Sequence, residues 1–176
     1  MLETDRLILE PISYHHAPAL YRYYCNNADH LEPWEPTRDE DFYTLRFWQQ
    51  VGLSSEHSFS EGREFRFALI EKSSQQLIGV CNFTCVMGGA FQACYLGYSI
   101  DHQHQNQGLM SEGIKAGIDF IFNEVGLNRI MANYLPHNRN SARVLEKLGF
   151  EIEGRAKRYL KIDGKWQDHI LTAKVR

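Results

Sequence analysis

Between Ala93 and Gly117 the chain reads ACYLGYSIDHQHQNQGLMSEGIKAG, a β-type run that breaks into a polar turn at Asp101–Gln107 and leaves as an amphipathic helix. A strand that feeds a helix through such a turn brings unpaired backbone N–H groups and the positive end of the helix dipole to one point. That is the chemistry of an anion site, most often a phosphate site. Gly108 has no Cβ to obstruct a close approach, so Gln105, Asn106, Gln107, Gly108, Leu109 and Met110 form a candidate cradle for the pyrophosphate of a nucleotide-bearing cofactor. An ordinary strand-to-helix connection is the alternative reading of the same residues.

Other polar groups compete for chemical roles. Asn138 and Ser141 lie three apart at the start of a short helix, where either Asn138 or Asn140 can also serve as a plain cap. Glu35 and Trp34 sit in the proline-punctuated loop LEPWEP, within an acidic cluster of Glu32, Glu35, Asp39, Glu40 and Asp41. Such a cluster can attract a basic partner, though acids in a first helical turn complement its dipole in any case. His102, His104 and His137 lack a matched carboxylate or cysteine set, so no metal is expected.

These groups need a scaffold. The chain has 176 residues, 43% apolar and 23% charged, with net charge −3, enough for one well-buried core and short for two. Bulk charge favours neither nucleic acid, DNA included, nor an anionic membrane. No apolar run reaches the roughly 20 residues of a membrane span, and MLETDRLILEP lacks a basic-then-apolar leader pattern. Cys25, Cys81, Cys85 and Cys94 form no C-x-x-C pair and read as buried thiols of a reducing cytoplasm.

Periodicity predicts strands at Arg6–Ile12, Glu64–Ile70, Leu77–Val86, Gln92–Ile100, Asn128–Tyr134, Phe150–Ile162 and Lys165–Val175, the last two joined by an Asp163-Gly164 hairpin turn. Helices are expected over Tyr14–Asn26, from a capping box at Thr37–Glu40 to an end within the Ser/Gly/His/Glu-rich stretch Gly52–Gly62, after Gly108, and over Ser141–Leu148. Gly113 and Gly117 fall one turn apart on a face suited to close packing on strands. The fold class is α/β (α+β): one domain, 1–176, with a mixed, mostly antiparallel sheet of about seven strands flanked by about four helices.

At this point the residues resemble a known family, the GCN5-related N-acetyltransferases. Gln105-Asn106-Gln107-Gly108-Leu109-Met110 fits the first four positions of its Q/R-x-x-G-x-G/A acetyl-CoA motif, with Met110 in place of a small residue. Asn138-x-x-Ser141 followed by Glu146-Lys147-Leu148-Gly149-Phe150 is similar to the RimJ/RimL branch, whose members acetylate N-terminal amines of ribosomal proteins. The strings YLGYSI, QGLM, RIMANY, PHN and IDG-x-W sharpen the likeness to the alanine-specific members of that branch.

The resemblance implies an acetyl-CoA-dependent N-acetyltransferase without a covalent enzyme intermediate. Its acceptor would be the N-terminal alanine of a small-subunit ribosomal protein, free or on the assembling subunit. It also implies that the strand ending at Ile100 binds the pantetheine arm by its backbone and splays from Asn128–Tyr134. Asn138 would contact the pantetheine amides and Ser141 would donate to the leaving thiolate. Many members place a tyrosine four residues later, but here that residue is Leu145, so Tyr134 or a water stands behind Ser141 as an alternative acid. Arg143 can add charge near the cofactor or simply face solvent.

The base is less defined. No lone carboxylate stands among Tyr95, Gly97 and Tyr98, with Tyr98 a candidate substrate contact, Trp34 a candidate pocket wall and Glu35 a candidate base or amine anchor. An α-amine eases the demand: at pH 7 about 14% is neutral, against ~0.04% for a lysine amine. A small-molecule amine acceptor and a non-catalytic acetyl-CoA-binding ribosome-assembly partner remain the alternatives.

Overall fold

Alternation along the central strands assigns each side chain to one of two cores. In the computed structural model, which describes residues 1–176, Phe65, Phe67 and Leu69 join Cys81, Phe83 and Leu96 on one face, while Ala68 and Val80 join the other. The strands are β1 (Leu2–Glu3), β2 (Leu7–Pro11), β3 (Phe65–Glu71), β4 (Leu77–Met87), β5 (Ala93–Ile100), β6 (Arg129–Tyr134), β7 (Glu151–Ile162) and β8 (Lys165–Val175). They form one sheet in the order β1-β2-β3-β4-β5-β6-β8-β7. Only the β5–β6 pair is parallel. The eighth strand, beyond the seven expected, is the two-residue β1. No helix is long and apolar enough to cross a membrane.

Helices α1 (Ala17–Asn26), α2 (Ala28–Leu31) and α3 (Leu45–Ser60) precede β3, with α4 (Leu109–Phe120) and α5 (Arg139–Lys147) further along. Leu20, Tyr24 and Trp48 of α1 and α3 pack on Val80 and Ala68, whereas Ile114 and Ile118 of α4 pack on the opposite face. Gly113 and Gly117 allow that second contact. A Cβ on Gly117 would lie 2.6 Å from Phe83 Cε2, and one on Gly113 would lie 3.0 Å from Leu69 Cδ2.

Two expectations need correction. The capping box at Thr37–Glu40 does not form. Asp39 instead caps the 3₁₀ turn Glu40–Tyr43 by accepting from the Phe42 N–H, and Thr44 Oγ1 caps α3 by accepting from the Phe47 N–H at 3.2 Å. The helix ends at Ser60, within the Gly52–Gly62 stretch where its end was expected, with Gly52 buried inside it. The glycine is there because the helix crosses the Ser13–Tyr14 backbone, where a Cβ would fall 2.6 Å from Ser13 O. Finally, Cys25 and Cys85 are exposed rather than buried. Cys81 and Cys94 are buried as expected, and burial pushes the Cys94 thiol up to about 12, which keeps it protonated and unreactive.

Gly52 provides the first test. Alanine gains about 1 kcal/mol of helix propensity over glycine, but forcing a Cβ against fixed backbone costs about 1–3 kcal/mol and displaces the Ser13 segment. Gly52→Ala is therefore expected to lower stability by about 1 kcal/mol in urea unfolding, despite its better propensity.

Candidate active site

The site begins where the sheet comes apart. β5 and β6 pair only at Ala93↔Arg129, Cys94↔Ile130 and Tyr95↔Met131. Beyond Tyr95, β5 stays on β4 as far as Ile100↔Gly79, while β6 stays on β8 as far as Tyr134↔Ile170. The two strands diverge as expected. A cavity of about 500 Å³ fills the slot, lined on its β5 side by Leu96–Ile100 and on the other by Asn133, Tyr134 and Leu135.

The glycine turn closes one end of this slot. Asn106 and Gly108 both take left-handed backbone, with φ of 59° and 78°. The backbone N–H groups from Gln105 to Ser111 find no acceptor in the protein; the first bond in this direction runs from the Glu112 N–H to Gly108 O. Successive free N–H groups at a helix start can hold an anion without any cationic side chain. A Cβ on Gly108 would meet only Arg6 Nη2, at 3.5 Å, so glycine is required by the backbone angle and not by protein packing. Met110, in the position where the family pattern has a small residue, is turned into the main core and is 7% exposed.

Two polar clusters hold the turn. Arg6 donates from Nη1 to Gln107 O at 3.0 Å and pairs with Glu112 at 2.7 Å, while Thr4 Oγ1 also donates to Glu112. Burial opposes the Glu112 charge, yet the Thr4 and Arg6 hydrogen bonds outweigh it and keep the carboxyl below its ordinary range. At the other end, buried Asn27 donates from Nδ2 to Asp101 at 2.9 Å and accepts from the His102 N–H at 3.0 Å. Asp101 in turn accepts from the Gln103 N–H and faces His104 Nδ1 at 2.9 Å. The imidazoles are thus engaged in shaping the turn.

Opposite the turn stands the start of α5. Asn138 Oδ1 accepts the Ser141 N–H at 3.1 Å, so Asn138, not Asn140, is the cap. Ser141 Oγ lies 2.6 Å from Tyr98 Oη, bridging α5 to β5 across the open slot. Burial drives the Tyr98 hydroxyl well above the usual phenol range, against a smaller opposing effect of the Ser141 hydrogen bond. The two hydroxyls share one hydrogen bond, and burial keeps the Tyr98 phenol protonated at neutral pH. Leu145 is 1% exposed and belongs to the core. Arg143 lines the cavity.

Trp34 and Glu35 form the far lip. The Trp34 ring lies 5.5 Å from that of His137, across the mouth, and Glu35 pairs with Arg38 at 3.0 Å. The Asp163 N–H of the β7–β8 turn donates to Glu35 O at 3.1 Å, bracing this loop. A second cavity of about 250 Å³ meets the first here, sharing Glu35, Arg38, Gly97, Tyr98 and Ser99. The structure thus gathers most candidate residues around one cleft, while Tyr95, His102, Gln107, His137 and the acids Glu32, Asp39, Glu40 and Asp41 lie outside its lining. Sequence reasoning missed Arg38, His30, Asn133 and His169, a 4% exposed imidazole in the cavity wall. The i,i+3 spacing of Glu35 and Arg38 is the one local signal that was available; the others reach the cleft only through tertiary folding.

A slot with free backbone N–H groups at one end and a hydrogen-bonded pair of hydroxyls beside it suits an activated thioester carried on a nucleotide. Known proteins agree. A family model described as acetyltransferase (GNAT) domain matches residues 6–151. The chain is 46% identical over 173 residues to the [ribosomal protein uS5]-alanine N-acetyltransferase of Escherichia coli K12, covering 98% of this chain and 89% of that one. Among solved structures, the ribosomal-protein-S5-alanine acetyltransferase of Vibrio fischeri superposes with a TM-score of 0.95 at 37% identity, over 98% of this chain and 94% of that one. Mycobacterium smegmatis RimJ, in complex with CoA-disulfide, superposes with a TM-score of 0.90 at 30% identity, over 96% and 81%. The chain belongs to the GNAT acetyltransferase family. It is an acetyl-CoA-dependent N-acetyltransferase of the type related to the ribosomal-protein-alanine enzymes.

Proposed function

We propose that this chain, as a single catalytic domain over 1–176, acetylates the N-terminal α-amine of a ribosomal protein in the cytoplasm. The first candidate is an alanine-initiated small-subunit protein such as uS5, free or on the assembling subunit. One observation carries the proposal: the hydroxyl relay stands where the cofactor slot meets a second cavity open to an acceptor. The N–H groups of Gln105–Met110 hold the pyrophosphate, and β5 up to Ile100 pairs with the pantetheine arm. Asn138 orients that arm.

The neutral amine enters past Trp34 and attacks the thioester carbonyl directly. As the C–S bond breaks, the Ser141 hydroxyl protonates the thiolate and regains a proton from Tyr98, which is reprotonated from solvent. Because Glu35 already accepts from Arg38, its role is to anchor the acceptor, with proton loss from the amine left to water.

Incubation with acetyl-CoA and alanine-initiated peptides, free or blocked at the N-terminus, tests this reading. Thiol release is expected only with the free amine. On the acid side, kcat/KM should fall tenfold per pH unit below about 7.8, because only the neutral amine reacts. The plateau should extend flat to about pH 10, since burial keeps Tyr98 protonated beyond that point. Turnover confined to small non-peptide amines would overturn the substrate assignment.

A further inference from the structure

β8 carries one imidazole into the wall of the large cavity, that of His169, which is 4% exposed. Its Nδ1 lies 3.2 Å from Gln167 O. A carbonyl oxygen only accepts, so Nδ1 holds the ring proton and the neutral imidazole presents Nε2 as an acceptor. Nε2 has no partner in the protein, whereas a histidine that only filled the wall would have both nitrogens satisfied. The one fully buried side-chain nitrogen or oxygen without a partner is Asn82 Oδ1, so Nε2 keeps accessible surface, and the cavity is what that surface meets. The Tyr159 ring packs 5.5 Å from the imidazole, and its hydroxyl accepts from Asn133 Nδ2 at 3.2 Å.

Strand register fixes the side from which Nε2 faces the slot. Asn133 pairs with Leu171, two residues along β8 from His169, so the two side chains share a face. Ile130 and Ala132, which alternate with Asn133 on β6, belong to the main core under α4. His169 and Asn133 therefore lie on the opposite face, that of α1 and α3. Tyr98 pairs with Cys81 of the main core and reaches Ser141 of α5. The slot thus has hydroxyl donors on one face of the sheet and an imidazole acceptor on the other.

We propose that His169 is the general base of the transfer, taking through one water the proton that the acceptor amine sheds. The proposal rests on the α-amine reading above. The amine lone pair forms the C–N bond, the excess proton on nitrogen passes to the water, and a proton of that water passes to Nε2. The C–S electron pair leaves with sulfur, which is protonated by Ser141 on the opposite face. The Nδ1–H bond to Gln167 O strengthens as the ring becomes cationic. The imidazolium then returns its proton to solvent through the cavity, which balances the proton that Tyr98 regains. Placing acceptor and donors on opposite faces keeps the base from drawing its proton from the acid.

The test measures turnover of an alanine-initiated hexapeptide by wild type, His169→Gln and His169→Ala. A positioned base contributes about 10²–10⁴-fold, and water alone can accept part of the proton flow from an α-amine, so kcat should fall about tenfold in both variants. The acetyl-CoA KM should be unchanged, which reports an intact cofactor slot. Added imidazole should restore most of the loss in His169→Ala, where the missing ring leaves room beside an open cavity, and little in His169→Gln, whose side chain fills that room. An undiminished kcat in both variants, or a loss in His169→Ala that imidazole leaves unchanged, overturns the proposal while N-terminal acetylation stands. Absence of turnover of the free peptide by the wild-type protein overturns both.

Discussion

Gly108→Val is expected to raise the acetyl-CoA KM by about a hundredfold or more, the largest binding effect of any single change in the turn. Gly108 holds φ of +78°, which costs an ordinary L-residue about 1–2 kcal/mol and a β-branched one more. The backbone would relieve that strain by rotating the N–H groups of Gly108 and Leu109 away from their common focus. Each charge-assisted hydrogen bond lost there is worth about 1.5–3 kcal/mol, and ~1.4 kcal/mol is tenfold in affinity. Gly108→Asn, which tolerates left-handed backbone, should weaken binding least, with alanine between the two. Calorimetric titration with CoA reads this order directly. Because a Cβ here meets only Arg6 Nη2 at 3.5 Å, thermal stability should change much less than affinity. Equal CoA affinity in Gly108→Val and wild type would remove the turn from the cofactor site.

The largest effect on turnover is expected at Ser141. Ser141→Ala keeps the backbone N–H that Asn138 caps, so α5 should persist. What disappears is the hydroxyl 2.6 Å from Tyr98 Oη. A positioned acid contributes about 10²–10⁴-fold, and water can replace part of it, so kcat should fall by about 30- to 100-fold. The acetyl-CoA KM should stay within about threefold, because removing a proton donor affects the transition state more than the ground state. Tyr98→Phe should fall nearly as far. The double variant should be no slower than the slower single one, the signature of two groups acting as a unit. Additive losses would mean that the two hydroxyls act separately, and unchanged kcat in Ser141→Ala would reduce the serine to a neighbour of a helix cap.

Features set by short-range chemistry were legible from sequence. The Asp163-Gly164 turn takes positive φ at both residues, as the dipeptide required, and β8 spans Lys165–Val175 as expected. Gly113 and Gly117 were identified by spacing and do pack against Leu69 and Phe83. The failures trace to tertiary contact. The close packing at Gly52 has no local signal, because Ser13 is brought against it from 39 positions away in sequence. Thr37 and Thr44 offer similar capping chemistry, and the packing of Phe42 and Trp48 decides between them.

The site divides in the same way. The anion turn and the Asn138–Ser141 pair are local motifs and could be read directly. Tyr98 was placed near the acceptor, but its partnership with Ser141 spans 43 positions and has no local signature.

The early end of the β5–β6 ladder has a consequence for how the sheet behaves as a surface. From Leu96 onward, β5 is an edge strand in the middle of the molecule, with backbone groups facing the slot instead of a neighbouring strand. Exposed edges recruit other strands, and proteins ordinarily blunt them with charge, proline or bulges. Here the diverging Asn133–Leu135 segment and the loop bearing Trp34 line the same cavity as that edge. The edge is left without a partner strand on one side and held by β4 on the other, and in the proposed reading a small molecule, not a second polypeptide, completes the sheet.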